Sequence, residues 1–169
     1  MDRTAIKICV QAGDFDQAAE TALLTAGRTD IGAIAAFIGL CRDEDGRLSA
    51  LELEHYPGMA EAEIRRIAEQ AAERWPLRGL TIIHRHGKIA PGGQIVLVLA
   101  ASSHREAAFS AAAFLMDYLK TRAPFWKKEH LLDGSEGVWV DAREHDDAAA
   151  SRWLAAGSRE EEPKGPAGK

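Results

Sequence analysis

Cysteine is scarce in this chain, and so are long apolar runs. The 169 residues include only two cysteines, Cys9 and Cys41, and no CxxC pair. This usage provides no zinc-finger pattern and is typical of a reducing compartment. No stretch approaches the roughly 20 apolar residues of a membrane-spanning helix, and the N-terminus lacks the apolar run of a signal peptide. We therefore expect a cytoplasmic protein without a membrane partner.

Basic residues are also fewer than acidic residues. Lysine and arginine together number 21 against 26 acidic residues, which gives a net charge of −5. A nucleic-acid partner is not expected, because it needs a basic face, although a local basic pocket for a small anion is compatible with this charge. The chain contains no Walker loop, no GxGxxG and no GxSxG. An ATP site, a dinucleotide site and a serine nucleophile therefore lack support.

Apolar residues, at 46%, are sufficient for the core of one domain. Apolar runs and alternation predict strands at residues 5–10, 31–40, 51–56, 80–84, 95–101 and 138–140. Helical periodicity and stop residues predict helices at residues 14–26, 59–75, 103–123 and 148–154. This mixed order predicts a single α+β domain over residues 1–156, with a mixed or antiparallel sheet packed by helices. Residues 157–169 are polar, with glycine and proline, and are expected to be disordered.

The longest predicted helix has a definite start and a definite apolar side. Ser103 and Glu106 have capping-box spacing, so we expect the helix to begin at Ser103. Pro124 limits its other end. The predicted apolar stripe consists of Phe109, Ala112, Leu115, Met116 and Leu119. For the helix at 59–75, the predicted apolar stripe consists of Met59, Ile64, Ile67, Ala68 and Ala71.

Two lysines flank the end of the longest predicted helix. Lys120 lies in its last turn and Lys127 lies just beyond a proline, with Phe125 and Trp126 between them. A lysine beside apolar groups loses hydration, and this favours the neutral amine used in proton transfer or nucleophilic attack. Lysine pairs are also common on solvated surfaces. The spacing alone therefore leaves both interpretations open.

Four further residues are candidates for binding an anion or for reacting. His104 and Arg105 occupy the first turn of the long helix, where free amide groups favour an anion. Arg42 follows Gly39, and a glycine at that position permits close approach of the backbone to a ligand. Surface ion pairing of Arg105 and an ordinary loop position for Arg42 are the alternatives. Cys41 is either a reactive thiol or a packing residue.

Histidines two positions apart, His84 and His86, suggest a metal site at first sight. On a strand they share one face, but no third ligand has suitable spacing. We therefore expect no metal ion.

Several motifs in a fixed order resemble the large, catalytic subunit of molybdopterin synthase. They span residues 31–152 and comprise FIGLCR (37–42), LELEHYPGMAE (51–61), RWPL (74–77), IIHRHG (82–87), SSHREAAF (102–109) and MDYLKTRAPFWKKE (116–129). The chain departs from the family pattern at Leu40 and Cys41, where lysine and valine are frequent, and at His86, where isoleucine is usual. A lysine contact at position 40 is thereby lost.

The resemblance implies a hammerhead-like fold and a sulfurtransferase of molybdenum cofactor biosynthesis. Such an enzyme inserts two sulfurs into cyclic pyranopterin monophosphate, with neither metal nor ATP at this step. The sulfur arrives as a thiocarboxylate on the C-terminal glycine of a small ubiquitin-like partner. Two large subunits form a central homodimer, with one small subunit at each end. Lys120 and Lys127 would be catalytic, and the implied substrate-binding residues are Leu40, Cys41, Arg42, His104, Arg105, Lys120, Lys127, Lys128 and Glu129.

The spacing of two of these residues has a geometric consequence. His104 and Lys120 are sixteen positions apart on one predicted helix, which separates them by roughly 24 Å. One small substrate cannot touch both within a subunit, so we infer that His104 and Arg105 reach the site of the second subunit. Two other functions stay open: a non-catalytic module that binds a small anion or a ubiquitin-like tail, and a lysine-dependent Schiff-base enzyme.

Overall fold

Two sheets organise residues 4–141 and 151–154, the part of the chain that the computed structural model describes. The elements in chain order are β1 (Ala5–Gln11), α1 (Gln17–Thr25), β2 (Ala33–Leu40), β3 (Leu48–His55), α2 (Met59–Arg74), β4 (Leu77–Arg85), β5 (Gly87–Ile89), β6 (Gln94–Ser102), α3 (Arg105–Thr121), β7 (Phe125–Leu131) and β8 (Val140–Asp141). The predicted α+β class is confirmed, but the strands form two sheets where we expected one. None of the helices in the described ranges is long and apolar enough to cross a membrane.

The first sheet has the order β1-β4-β6-β2, with β1 parallel to β4 and the other pairs antiparallel. Its central strands β4 and β6 are buried almost throughout. Their side chains alternate between two apolar layers, one shared with α2 and α3 and the other formed around Phe15, Leu97 and Leu99. Because both faces are covered, these strands read as continuous apolar runs in the sequence.

Helices α2 and α3 bury some, but not all, of the apolar residues predicted to face the core. In α2 the buried side contains Ile64, Ile67 and their alanine neighbours as expected, whereas Met59 is 61% exposed. In α3 the predicted stripe is partly wrong, since Phe109 is 66% exposed while Phe114 is fully buried. The alanines of α3 give little hydrophobic contrast around the helix, so packing against the first sheet and α2 selects the buried side.

The predicted capping box at the start of α3 is also wrong. The helix begins at Arg105, its N-cap is His104, and no side chain caps it. The Ser103 hydroxyl instead donates to the Asp30 carbonyl at 3.1 Å and accepts from the Arg78 guanidinium at 3.1 Å. These contacts tie the start of α3 to neighbouring loops.

The second sheet has the order β5-β3-β7-β8 and is antiparallel. Strand β7 was not predicted, because its sequence FWKKEHL lacks the alternation of apolar and polar residues that marks a half-buried strand. It pairs along its whole length with β3. The final strand was expected at 138–140 and is found at Val140–Asp141. Of the helix expected at 148–154, residues 151–154 are helical, and both 142–150 and the tail at 157–169 lie outside the described residues.

Candidate active site

A cavity of about 1070 Å³ lies between the C-terminal end of α3, strands β3 and β7, and the loop that follows β2. It joins the two sheets, and its lining contains both apolar and charged side chains. The residues of the predicted site that line it are Leu40, Cys41, Arg42, Lys120, Lys127 and Glu129. Residues from two separate sequence motifs, at 37–42 and 116–129, therefore converge on one cavity.

Strand β7 distributes its side chains between the cavity and the opposite face of the sheet. Phe125, Lys127 and Glu129 line the cavity, as the period of two along a strand requires. Trp126 and Lys128 alternate with them and do not line it. The strand thus places the side chains of Lys127 and Glu129 in the cavity wall, together with the buried ring of Phe125.

Lys128 takes part in an ion-pair network on the other face. Its ammonium lies 2.7 Å from the Glu136 carboxylate and 5.2 Å from the centre of the Trp139 ring. His130 of the same face contacts both Glu52, at 2.5 Å, and Glu136, at 3.4 Å. The Lys128 hydrogen bond holds the pKa of Glu136 below its usual range. Lys128 therefore stabilises the sheet in this subunit and does not line the cavity.

Lys120 and Lys127 lie on opposite walls of the cavity, one at the end of α3 and one on β7. Both side chains are exposed. The loss of hydration expected from their apolar neighbours is therefore wrong for the isolated subunit. Two exposed ammonium groups facing one cavity form a site for negative charge that a bound molecule would then shield from water.

The loop after β2 holds Arg42 at the mouth of the cavity. Its guanidinium pairs with the Glu44 carboxylate, and its side chain is 80% exposed. Surface ion pairs of this kind contribute little to stability. Arg42 is thus free to exchange its partner for an anionic ligand at small energetic cost.

Cys41 packs beneath that loop. It is 3% exposed, its N–H donates to the Gly93 carbonyl at 2.8 Å, and its carbonyl accepts from the Gly92 N–H at 2.7 Å. Burial raises the pKa of the Cys41 thiol, which lowers the fraction of reactive thiolate. Of the two interpretations of this cysteine, the packing residue agrees with its surroundings.

Gly39 lines the cavity and also has a packing role. A side chain here would place its Cβ 2.7 Å from Cγ1 of Val96, and the β2–β6 register shifts between Gly39 and Leu40. The glycine therefore permits close packing of two strands, and the close approach of a ligand stays a prediction.

His104 and Arg105 lie at the far end of α3 and do not line the cavity. The helix is continuous over Arg105–Thr121, so the expected separation of roughly 24 Å between His104 and Lys120 stands. Both side chains are exposed. This subunit therefore contributes one group of predicted site residues to its own cavity and presents a second group elsewhere on its surface.

Sequence reasoning missed the charged loop residues Asp43, Glu44, Asp45 and Arg47 of the cavity, and it missed the buried histidine of the cavity, His84 of β4. Its ring is 9% exposed, stacks on Phe125 with ring centres 3.8 Å apart, and lines the cavity. His55 and His86 approach each other with ring centres 4.5 Å apart. In the described ranges, no group of three histidine, cysteine or acidic residues has the geometry to hold a metal ion. The available signal for His84 was a histidine placed inside a buried apolar strand.

We expect acid to destabilise the fold through His84. Burial lowers the pKa of this histidine to about 4, whereas an unfolded histidine titrates near 6.5. Between these values the unfolded chain binds more protons, so stability is lost as the pH falls through this window. The loss from His84 between pH 7 and pH 5 should be about 2 kcal/mol.

Urea unfolding at the two pH values, compared between the wild type and His84→Phe, measures this contribution. His55 also has a lowered pKa, chiefly from burial, and is unchanged by the substitution. An equal loss of stability in both proteins would contradict the prediction.

The α+β fold places a cavity lined by two lysines between its two sheets. The family model described as "MoaE protein" matches residues 10–122. The chain belongs to this family, as the sequence motifs had predicted.

Similar proteins agree with this assignment. The chain is 73% identical over 144 residues to a molybdopterin synthase catalytic subunit of Mesorhizobium japonicum, covering 85% of this chain and 91% of the relative. The molybdopterin biosynthesis MoaE protein of Burkholderia ambifaria matches with a TM-score of 0.77 and 51% identity, over 88% of this chain and 98% of that one. A molybdopterin synthase structure from Staphylococcus aureus matches with a TM-score of 0.68 and 27% identity, over 83% and 98%. The predicted class of enzyme, a molybdopterin synthase catalytic subunit, is confirmed.

Proposed function

We propose that this chain inserts the two dithiolene sulfurs of molybdopterin into cyclic pyranopterin monophosphate. The observation that carries the proposal is the convergence of Lys120, Lys127 and Arg42 on one cavity of about 1070 Å³. That volume suits a small ligand together with the end of a peptide. The three cations suit a substrate that carries a phosphate.

The sulfur donor is a small ubiquitin-like subunit with a thiocarboxylate on its C-terminal glycine. An extended tail needs an opening and an apolar wall, and the cavity has the buried ring of Phe125 for the latter. Trp126, the neighbour of Phe125 in sequence, makes an edge contact with Tyr56 on the other face, with ring centres 5.0 Å apart. The tail therefore runs past Phe125 alone and ends between the two lysines.

The two lysines act on charge that develops during sulfur transfer. The thiocarboxylate sulfur bonds to a substrate carbon as a carbon–oxygen bond at that carbon breaks, the leaving oxygen takes up a proton, and the glycine acyl group becomes a thioester. Water must then cleave its carbon–sulfur bond to release the carboxylate and leave the sulfur on the pterin. Both the attack of sulfur and the hydrolysis place negative charge on oxygen. Ammonium groups held on rigid elements stabilise that charge and donate protons.

Lys120 and Lys127 are well placed for this work once the cavity is filled. Substrate and tail together displace water from the two exposed ammonium groups, and their interaction with the oxyanion then strengthens. Glu129, on the same face of β7 as Lys127, is a carboxylate that can relay a proton to or from it. The thiocarboxylate is already activated, so neither ATP nor a metal ion enters the step.

The phosphate is held by residues of two subunits. Arg42 supplies one guanidinium from the same subunit as the lysines, after leaving Glu44. His104 and Arg105 lie beyond the reach of that cavity on the unbroken helix α3. They serve the cavity of a second copy in a central homodimer, with one small subunit bound at each end. The cytoplasmic location predicted from the sequence belongs to the same proposal.

Reconstitution tests the proposal. The purified chain, the thiocarboxylated partner and cyclic pyranopterin monophosphate are mixed, and the product is followed as a fluorescent pterin derivative. We expect product only when all three are present. Binding of the partner without any product, with a relative's catalytic subunit active under the same conditions, would favour a non-catalytic binding module.

Cys41→Ala should retain substantial activity. The thiocarboxylate supplies the nucleophilic sulfur, and burial keeps the Cys41 thiol protonated. Loss of a small buried side chain should lower stability by about 1 kcal/mol. The measurement is the reconstituted rate together with a thermal melt. Detection by mass spectrometry of a persulfide on Cys41 that disappears when substrate is added would contradict this result.

A further inference from the structure

His84 is the most deeply buried polar side chain that reaches the cavity. It lies near the end of β4, where Leu80 and Ile82 point into the apolar layer beneath α2 and α3. The alternation of a strand directs His84 to that same layer. Its ring is stacked on Phe125, with centres 3.8 Å apart and planes 16° apart. The position of the ring is therefore fixed by packing.

One ring nitrogen of His84 is already committed. Nδ1 lies 2.8 Å from the carbonyl oxygen of Arg85. A carbonyl oxygen only accepts, so Nδ1 carries the proton and donates it. A neutral imidazole in this tautomer has an unprotonated Nε2, which can only accept a hydrogen bond.

That second nitrogen has no partner among the described residues. Yet no side-chain nitrogen or oxygen in the described ranges is both fully shielded from solvent and without a hydrogen-bond partner. Nε2 must therefore reach open space, and His84 borders the cavity. Burial lowers the pKa of His84 to about 4, so the acceptor stays neutral at physiological pH.

The chemistry of the surrounding groups makes this acceptor distinctive. Lys120, Lys127 and Arg42 can only donate hydrogen bonds. They match phosphate and carbonyl oxygens but give nothing to an N–H or O–H group. The acidic side chains of the lining, those of Asp43, Glu44, Asp45 and Glu129, accept through carboxylate oxygens. His84 Nε2 is a neutral acceptor held in an apolar wall. Its lone pair would repel the lone pair of a ligand oxygen that carries no hydrogen.

We propose that His84 Nε2 accepts a hydrogen bond from a ring N–H or a hydroxyl of the bound pterin, and so orients it between Lys120 and Lys127. The inference rests on the proposed function, because it takes the pterin phosphate as the occupant of the cavity. His84 is then a binding and specificity residue of the reaction. It selects a ligand with a donor group beside its anionic group.

Two substitutions separate this role from packing. His84→Phe keeps a flat ring against Phe125 and removes the acceptor. Ile83→Val is the matched control, since it alters a buried neighbour of His84 on β4 that does not line the cavity. For His84→Phe we expect a thermal melt close to that of the wild type and unchanged binding of the small subunit. Its KM for cyclic pyranopterin monophosphate should rise about five- to tenfold with little change in kcat, as expected for one neutral hydrogen bond made equally in the ground state and the transition state.

An NMR measurement on the wild-type protein does not depend on any variant folding. With ¹⁵N-labelled histidine, the assembled enzyme should show His84 as the Nδ1–H tautomer. Its Nε2 resonance should move when cyclic pyranopterin monophosphate is added and return when the ligand is removed. The His130 resonances, from the opposite face of the second sheet, serve as the internal control.

The outcomes distinguish this inference from the proposed function. If the wild type makes product and His84→Phe does so with an unchanged KM, the inference is wrong and the function stands. The inference would also be wrong if NMR showed the Nε2–H tautomer, or if the Nε2 resonance did not shift when substrate was added. If the wild type makes no product with an active partner, the proposed function itself fails.

Discussion

Lys120→Ala is expected to reduce product formation about 10²- to 10³-fold while the fold and the complex with the small subunit persist. The side chain is exposed at the end of α3 and makes no ion pair in the described residues. Its removal should therefore cost little stability. The rate falls because an oxyanion formed in the cavity loses a positioned ammonium group. Single-turnover kinetics with the thiocarboxylated partner measure this step directly.

Lys88→Ala is the matched control for that experiment. Lys88 is an exposed lysine on β5 that does not line the cavity, so its loss changes net charge by the same amount. We expect near-normal rates for Lys88→Ala and a smaller defect for Lys127→Ala than for Lys120→Ala. A Lys120→Ala protein that turns over at the wild-type rate would show that this lysine is not catalytic.

Much of the candidate site was predictable because it lies in contiguous motifs. The segment at 116–129 contains both lysines, and the loop motif contains Arg42, so a family resemblance could name them. Their convergence was not predictable, since β7 has no apolar alternation of its own. One side of that strand faces a cavity, and the other is held by ion pairs such as Lys128–Glu136. Neither environment requires the hydrophobic pattern that identifies strands.

The errors in the fold have a common physical origin. Phe109 and Met59 are apolar, so they were predicted to be buried. In the folded helices both side chains are exposed. Ser103 has capping-box spacing, but tertiary contacts with Asp30 and Arg78 take its hydroxyl. In each case a contact distant in sequence overrides a local preference. His84 was missed for the same reason, because the stacking of Phe125 on its ring joins strands that are far apart in the chain.

The second large effect is expected from mixing two inactive proteins. Lys120→Ala and Arg105→Ala homodimers each carry a defect in both sites. If each site takes Lys120 from one subunit and Arg105 from the other, the two sites of a mixed dimer differ. One site then contains both substitutions, and the other contains an intact Lys120 and an intact Arg105. Random exchange at equal concentrations would then restore about a quarter of the wild-type sites.

The alternative geometry gives a different result. If each site lies within one subunit, every site in the mixture keeps one lesion and no activity returns. The continuous helix over Arg105–Thr121 supports the first outcome, because it separates the two groups by roughly 24 Å. Native mass spectrometry confirms that subunits have exchanged. Exchange without recovered activity would rule out the shared site.

The central claim is that the cavity transfers sulfur from the partner's thiocarboxylate to the pterin phosphate. The most direct measurement determines two quantities in one reaction. Mass spectrometry of the small subunit gives the thiocarboxylate consumed, and the fluorescent pterin derivative gives the dithiolene formed. Two thiocarboxylates consumed for each product, in the wild type and not in Lys120→Ala, is the predicted result. Thiocarboxylate that persists in the presence of the chain and the pterin phosphate, or that is hydrolysed without any dithiolene, would contradict the claim.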